Sequence, residues 1–131
     1  MFAEIKINDR TYTMTGNGQT MMILLDETGL DLFDIYNRVL AGYGKRSGFP
    51  INSKDMSALA YAFIKTANPE MFRDYRAFIT ALVKPGDLIT PDAIKGVMGI
   101  LFDLMSATGS EEEPEEEPKK TKKKTTAKSS N

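Results

Sequence analysis

The sequence contains no cysteine, no histidine and no tryptophan. Without cysteine there is no disulfide framework, no thiolate nucleophile and no thiolate metal site. Without histidine the chain lacks the side chain that titrates near neutral pH at its ordinary value, which is also the commonest transition-metal ligand. An enzyme built from this chain would have to work with Asp, Glu, Lys, Ser, Thr and Tyr, so no catalytic, cofactor-binding or metal site is expected. No apolar run approaches the roughly 20 residues that cross a bilayer, so no membrane association is expected. The opening MFAEIKINDR has no basic segment followed by an apolar one and does not read as a signal peptide. An excess of either charge is also lacking. Seventeen Lys and Arg stand against 18 Asp and Glu, net −1, which gives no general attraction to nucleic acid or anionic lipid.

What is present is a chain of 131 residues, 41% hydrophobic, enough for one domain with one core. Hydrophobic periodicity runs to residue 108 and then stops. Residues 109–131, GSEEEPEEEPKKTKKKTTAKSSN, hold six Glu and six Lys in separate blocks, with Ala127 as the one apolar side chain. Such a tail cannot bury enough surface to offset its chain entropy and is expected to be disordered. Within 1–108 the pattern predicts a mostly α (α+β) fold, an N-terminal β-hairpin packed on a bundle of about five short helices. Alternation over 2–7 and 11–15 gives two strands, with a turn at Asn8-Asp9-Arg10. Helices are expected over 19–28, stopped by Gly29, and over 30–41. A third begins at Ser53 as cap, with Met56, Leu59, Ala60, Phe63 and Ile64 on one stripe. A fourth begins at Asn68-Pro69, with Met71, Phe72, Tyr75, Phe78, Ile79 and Leu82 on one face, and is broken at residues 84–87. Thr90-Pro91 opens a fifth that runs to about Ser106.

The fifth helix stands out. Ile94, Val97, Met98, Leu101 and Met105 form the expected stripe, but Ile100, Phe102 and Leu104 carry apolar surface around most of the circumference. Two arrangements fit: a central core helix, or a helix with one side covered by a partner. Eight methionines add to this, because methionine is over-used where a surface adapts to varied apolar partners. A partner-binding surface is therefore expected at Met21, Met22, Met98, Ile100, Phe102, Leu104 and Met105. On that expectation Phe102→Asp leaves the domain folded and abolishes partner binding, whereas unfolding would mark Phe102 as core.

Other motifs read as structural. GYGKRSG, residues 42–48, lacks the spacing and the trailing Ser or Thr of a phosphate loop and fits a connector. Asp31 and Asp34 suit a helix N-terminus, and no calcium-loop pattern surrounds them. The lysines of residues 119–124 would give only weak, salt-sensitive contact with phosphates, with no aromatic interleaved for stacking.

Three stretches taken together carry a resemblance: the hairpin EIKINDRTYTMT, the segment GNGQTMMILLDETGLDLFDI, and the amphipathic DMSALAYAFIKTA, closed by a Glu/Lys-rich tail. This layout resembles the small tail assembly chaperones of long, non-contractile-tailed bacteriophages of the siphophage type, over residues 1–108. The resemblance implies a protein that coats the tape measure protein in the host cytoplasm before the tail tube polymerises, and that is absent from the mature virion. The tail tube protein is a further candidate partner, and self-association is expected. It also implies a programmed frameshift near the end of the frame, which A-rich codons for Lys119-Lys120 and Lys122-Lys123-Lys124 would suit. Rival readings are a structural head–tail or tail completion protein of the virion, and a small DNA-associated helical protein with a helix-turn-helix at Asn68-Pro69. Against the second, Arg73 and Arg76 are set beside Glu70 and Asp74 and leave no basic face.

Overall fold

In the computed structural model, residues 1–43 and 51–106 are described. Of the expected connector at 42–48, residues 42 and 43 belong to a helix and 44–48 lie outside the described residues, as do the expected boundary at 108 and its tail. The chain divides into two units, Met1–Leu101 and Phe102–Asn131. The second is described only to Ser106, as the last turn of a helix that begins in the first.

The first unit opens with the antiparallel strands β1 (Phe2–Ile7) and β2 (Arg10–Thr15), paired from Phe2 with Thr15 to Ile7 with Arg10. Asn8 and Asp9 both have left-handed backbone, φ 55° and 64°. A two-residue turn of this kind matches the twist of the flanking strands, and Asn and Asp tolerate that conformation best among residues with a side chain. The turn is thus one residue tighter than the sequence suggests. Alternation sends Ile5, Ile7, Tyr12 and Met14 into the core and leaves Glu4, Lys6, Thr11 and Thr13 in water.

Asn17 then caps α1 (Gly18–Ile23), accepting from the Gln19 N–H at 2.8 Å, while its own N–H donates to Thr20 Oγ1. The helix widens into a π-helical turn over Leu24–Thr28, where Thr28 Oγ1 donates to the Leu24 carbonyl. Gly29, at φ 74°, ends it as expected, a conformation that only glycine adopts without strain. Helix α2 (Leu32–Tyr43) follows, burying Leu32, Ile35 and Val39 at helical spacing.

Helix α3 (Ser53–Ala67) is the centre of the fold. Every residue from Asp55 to Ile64 is buried, and the helix touches β2, α1, the π-helical turn and both segments that follow it. The expected single apolar stripe is therefore too narrow a description. Small side chains at Ser57, Ala58, Ala60 and Ala62 let neighbours approach from all sides, while Phe63, Tyr61 and Met56 fill the space between. Its cap is Asn52 rather than Ser53. Asn52 Oδ1 accepts from the Asp55 N–H at 2.8 Å, and its amide nitrogen donates to the Asp55 carboxylate, a second contact that a serine cannot make.

Asn68 does not open the fourth helix. Its N–H closes α3 on the Ile64 carbonyl, and its side chain donates to the Thr13 carbonyl of β2. The chain then turns so that Phe72 meets Tyr12 and Phe78, at ring separations of 5.7 and 5.1 Å, and its carbonyl accepts from Lys65 Nζ. Helix α4 is consequently short, Tyr75–Ala81, with Asp74 as cap accepting from the Ala77 N–H at 2.8 Å. That bond holds the Asp74 carboxyl below the usual aspartate range. Only Phe78 of the expected α4 face is fully buried, while Met71 and Ile79 are exposed. The expected break at 84–87 is the start of a 3₁₀ segment, Pro85–Ile89. Thr90 caps α5 (Pro91–Met105) as expected, through the Ala93 N–H.

Within the first unit α5 crosses the hairpin at Gly96. A Cβ there would stand 3.3 Å from Met14 Cε and 3.4 Å from the Glu4 carbonyl oxygen, so the absence of a side chain sets how closely helix and strand approach.

Candidate functional site

An apolar groove of about 470 Å³ opens in the first unit. Its inner wall is the N-terminal half of α3, where the buried Met56 and Ser57 form part of the floor and Ser53 and Lys54 of the first turn line one end. Tyr75 and Ile79, at i and i+4 on one face of α4, and Leu82, the residue that caps its end, supply the second wall. The 3₁₀ segment supplies the third. There Leu88 is buried, Pro85 is exposed, and Ile89, 45% exposed, stands at the rim as Ile79 does at 38%. The polar groups at the floor satisfy each other, since the Ser57 and Tyr75 hydroxyls lie 2.7 Å apart. Among the described residues no carboxylate lines the groove.

Two clasps hold these walls. Arg38 of α2 makes a bidentate pair with Asp55, both contacts at 2.9 Å, which ties α2 to the first turn of α3. Asp55 is almost wholly buried, and its hydrogen bonds push the Arg38 guanidinium above its already high value. The hairpin turn forms the second clasp. Asn8 N–H donates to Asp87 Oδ2 at 2.9 Å, Asn8 Nδ2 donates to the Ala81 carbonyl at 2.7 Å, and Asn8 Oδ1 accepts from the Val83 N–H at 3.0 Å. One turn residue thereby fixes the link between α4 and the 3₁₀ segment. Each such bond is worth about 0.5–1.5 kcal/mol net.

Behind the groove, the buried Tyr61 of α3 donates to Glu27 Oε1 at 2.5 Å, which anchors the π-helical turn. Burial pushes the Tyr61 phenol well above its ordinary value, and the bond to Glu27 adds to the shift.

The residues expected to form a partner surface are split by the structure. Met98 and Ile100 are 5% and 1% exposed, so they are core and not surface. Position 100 lies three and four residues from 97 and 96, which places it on the side of α5 that meets the rest of the unit. Phe102, Leu104 and Met105 are half-buried. Met21 and Met22 are exposed, joined on the surface by Leu25, Phe33 and Leu40. The groove was not foreseen. Its signal was the pair Leu88-Ile89 just beyond the expected break at 84–87, together with an apolar α4 face of which only Phe78 is fully buried. The junction expected to supply the turn of a helix-turn-helix, Asn68-Pro69, does not start a helix: α4 begins at Tyr75, and Arg73 stands before it with its guanidinium on Asp74.

Comparison with protein-family models, with curated proteins and with solved structures finds no match.

Proposed function

We propose that this chain is a non-enzymatic assembly chaperone of a long, non-contractile phage tail, which holds the tape measure protein soluble until the tail tube polymerises around it. The observation that carries this reading is an apolar groove left open beside a core that is already closed. α3 is enclosed over Asp55–Ile64, so Ile79, Leu82 and Ile89 are not needed to complete it, and neither are the exposed Met22, Leu25, Phe33 and Leu40. Apolar surface kept in water at a cost in solubility marks a site that another chain covers. A tape measure protein is long and helical, and its apolar helix faces aggregate unless covered. A helix laid in a groove between helices is the recognition mode that suits both sides.

Co-expression tests this. With the chain present, the tape measure protein encoded beside it is expected in the soluble fraction and to co-purify with the chain. Purified mature particles are expected to lack the chain. A tape measure protein that is equally soluble without it, or its presence as a stoichiometric part of finished virions, overturns the proposal; the latter result identifies a structural tail component.

A further inference from the structure

The geometry points to a specific ligand chemistry for the groove: the apolar face of an amphipathic helix carrying an acidic residue beside its anchors. This deepens the chaperone reading and rests on it for the identity of the natural partner.

Charge decides the acidic element. Among the described residues Lys54 is the one charged residue lining the groove, and it has no ion-pair partner there. Its neighbour Asp55 does not cancel it, because that carboxylate is buried and bound on both oxygens by Arg38. Lys54 also stands in the first turn of α3, where the helix dipole adds positive potential. The mouth of the groove is therefore positive at the Ser53–Lys54 end and neutral elsewhere. A carboxylate on the incoming chain gains there, and a lysine is repelled.

Shape decides the helix. The walls are two helices and a 3₁₀ segment, and no sheet edge borders the groove, so strand addition has nothing to pair with. The volume takes a few large side chains and not a helix body. The occupant thus lies across the rim and inserts anchors at i, i+3 or i+4, and i+7 between Ile79 and Ile89. The floor hydroxyls of Ser57 and Tyr75 are already paired, which leaves the anchor site apolar.

The test uses the full chain and two labelled helical peptides of about 15–20 residues, with the same leucine stripe flanked by Glu in one and Lys in the other. Fluorescence anisotropy is expected to show the Glu peptide binding about tenfold tighter or better. Ile79→Gln and Ile89→Gln, both at exposed rim positions, are expected to weaken both peptides with the thermal melt unchanged. Lys54→Glu is expected to reverse the preference, and Phe33→Gln, away from the groove, to leave it intact. Equal affinity for the two peptides, or indifference to both isoleucine variants, overturns the inference. The same variants co-expressed with the tape measure protein separate the two claims. If the wild type keeps that protein soluble and Ile79→Gln does so equally well, the groove assignment fails and the chaperone reading stands. If the peptides discriminate but the wild type does nothing for the tape measure protein, the chaperone reading fails and the groove stands.

Discussion

Helices α3 and α5 are each fifteen residues long and have opposite characters. α5 carries the larger apolar side chains, with Ile, Val, Met, Leu and Phe distributed around its circumference. α3 carries four alanines, and it is the one enclosed on every side. The difference shows that enclosure follows from how closely neighbours can approach. Ser57, Ala58, Ala60 and Ala62 keep α3 thin, so a strand, a helix and three shorter segments fit around it. α5 approaches closely at its two glycines, Gly96 on the hairpin and Gly99 beside the Met1 side chain, and Asp92 and Lys95 remain in water.

The sharpest way to break this contrast is to place a charge on each side of the boundary between core and surface. Ile100→Asp buries a carboxylate without a partner, and cooperative thermal unfolding is expected to disappear, a cost of several kcal/mol that exceeds the stability of many small domains. Phe33→Asp, at a side chain 53% exposed, is expected to change stability by no more than about 0.5 kcal/mol. Similar losses from the two would mean that α2 packs where it is described as open.

Arg38→Ala comes next. It leaves Asp55 buried with only the Asn52 contacts, and chemical denaturation is expected to show a loss of about 1.5–3 kcal/mol. A smaller loss would show that water reaches the carboxylate from the α2 side, where Arg38 itself is half exposed.

Ala60→Leu and Gly96→Ala compare the two helices directly. Ala60 has no open side, and overpacking there is expected to cost about 1–3 kcal/mol. Gly96→Ala is expected to fall within about 1 kcal/mol of the wild type. The helix gains from alanine, and the nearest obstacle is the flexible end of Met14, though the Glu4 carbonyl limits how far the helix can give. A larger penalty at position 96 than at 60 would reverse the ranking of the two helices.

The smallest effect is confined to alkaline pH. The folded state holds the Tyr61 phenol above the ordinary value of 10.0, so its contribution is fully present below that pH and is lost as pH rises through the higher folded value. Melting temperature is expected to fall above pH 10, and Tyr61→Phe is expected to flatten that part of the profile. An unchanged alkaline slope in the variant would assign it to other groups.

Much of the local structure was legible because it depends on near neighbours in sequence. The hairpin could be read from Ile5, Ile7, Tyr12 and Met14, and the stops and starts from Gly29 and Thr90-Pro91. Legibility failed where a residue with a strong local preference was taken by a distant partner. Asn68 has the chemistry of an N-cap, but β2 claims its side chain, and α4 starts six residues later at Asp74. Ser53 has the chemistry of a cap as well, but Asn52 wins through its extra bond to Asp55. The groove was hidden for a related reason. Its walls come from residues 53–57, 75–82 and 85–89, and nothing in their spacing says that they converge.

Left to itself, the order of residues settles the hairpin, the helical content, the balanced charge, and the want of cysteine and histidine, because each depends on side-chain identity and short-range periodicity. Which helix lies innermost, which methionines stay wet and where an apolar groove opens were decided by long-range packing. A side chain's burial depends on what the rest of the chain brings against it, and that information is not carried by its own neighbourhood.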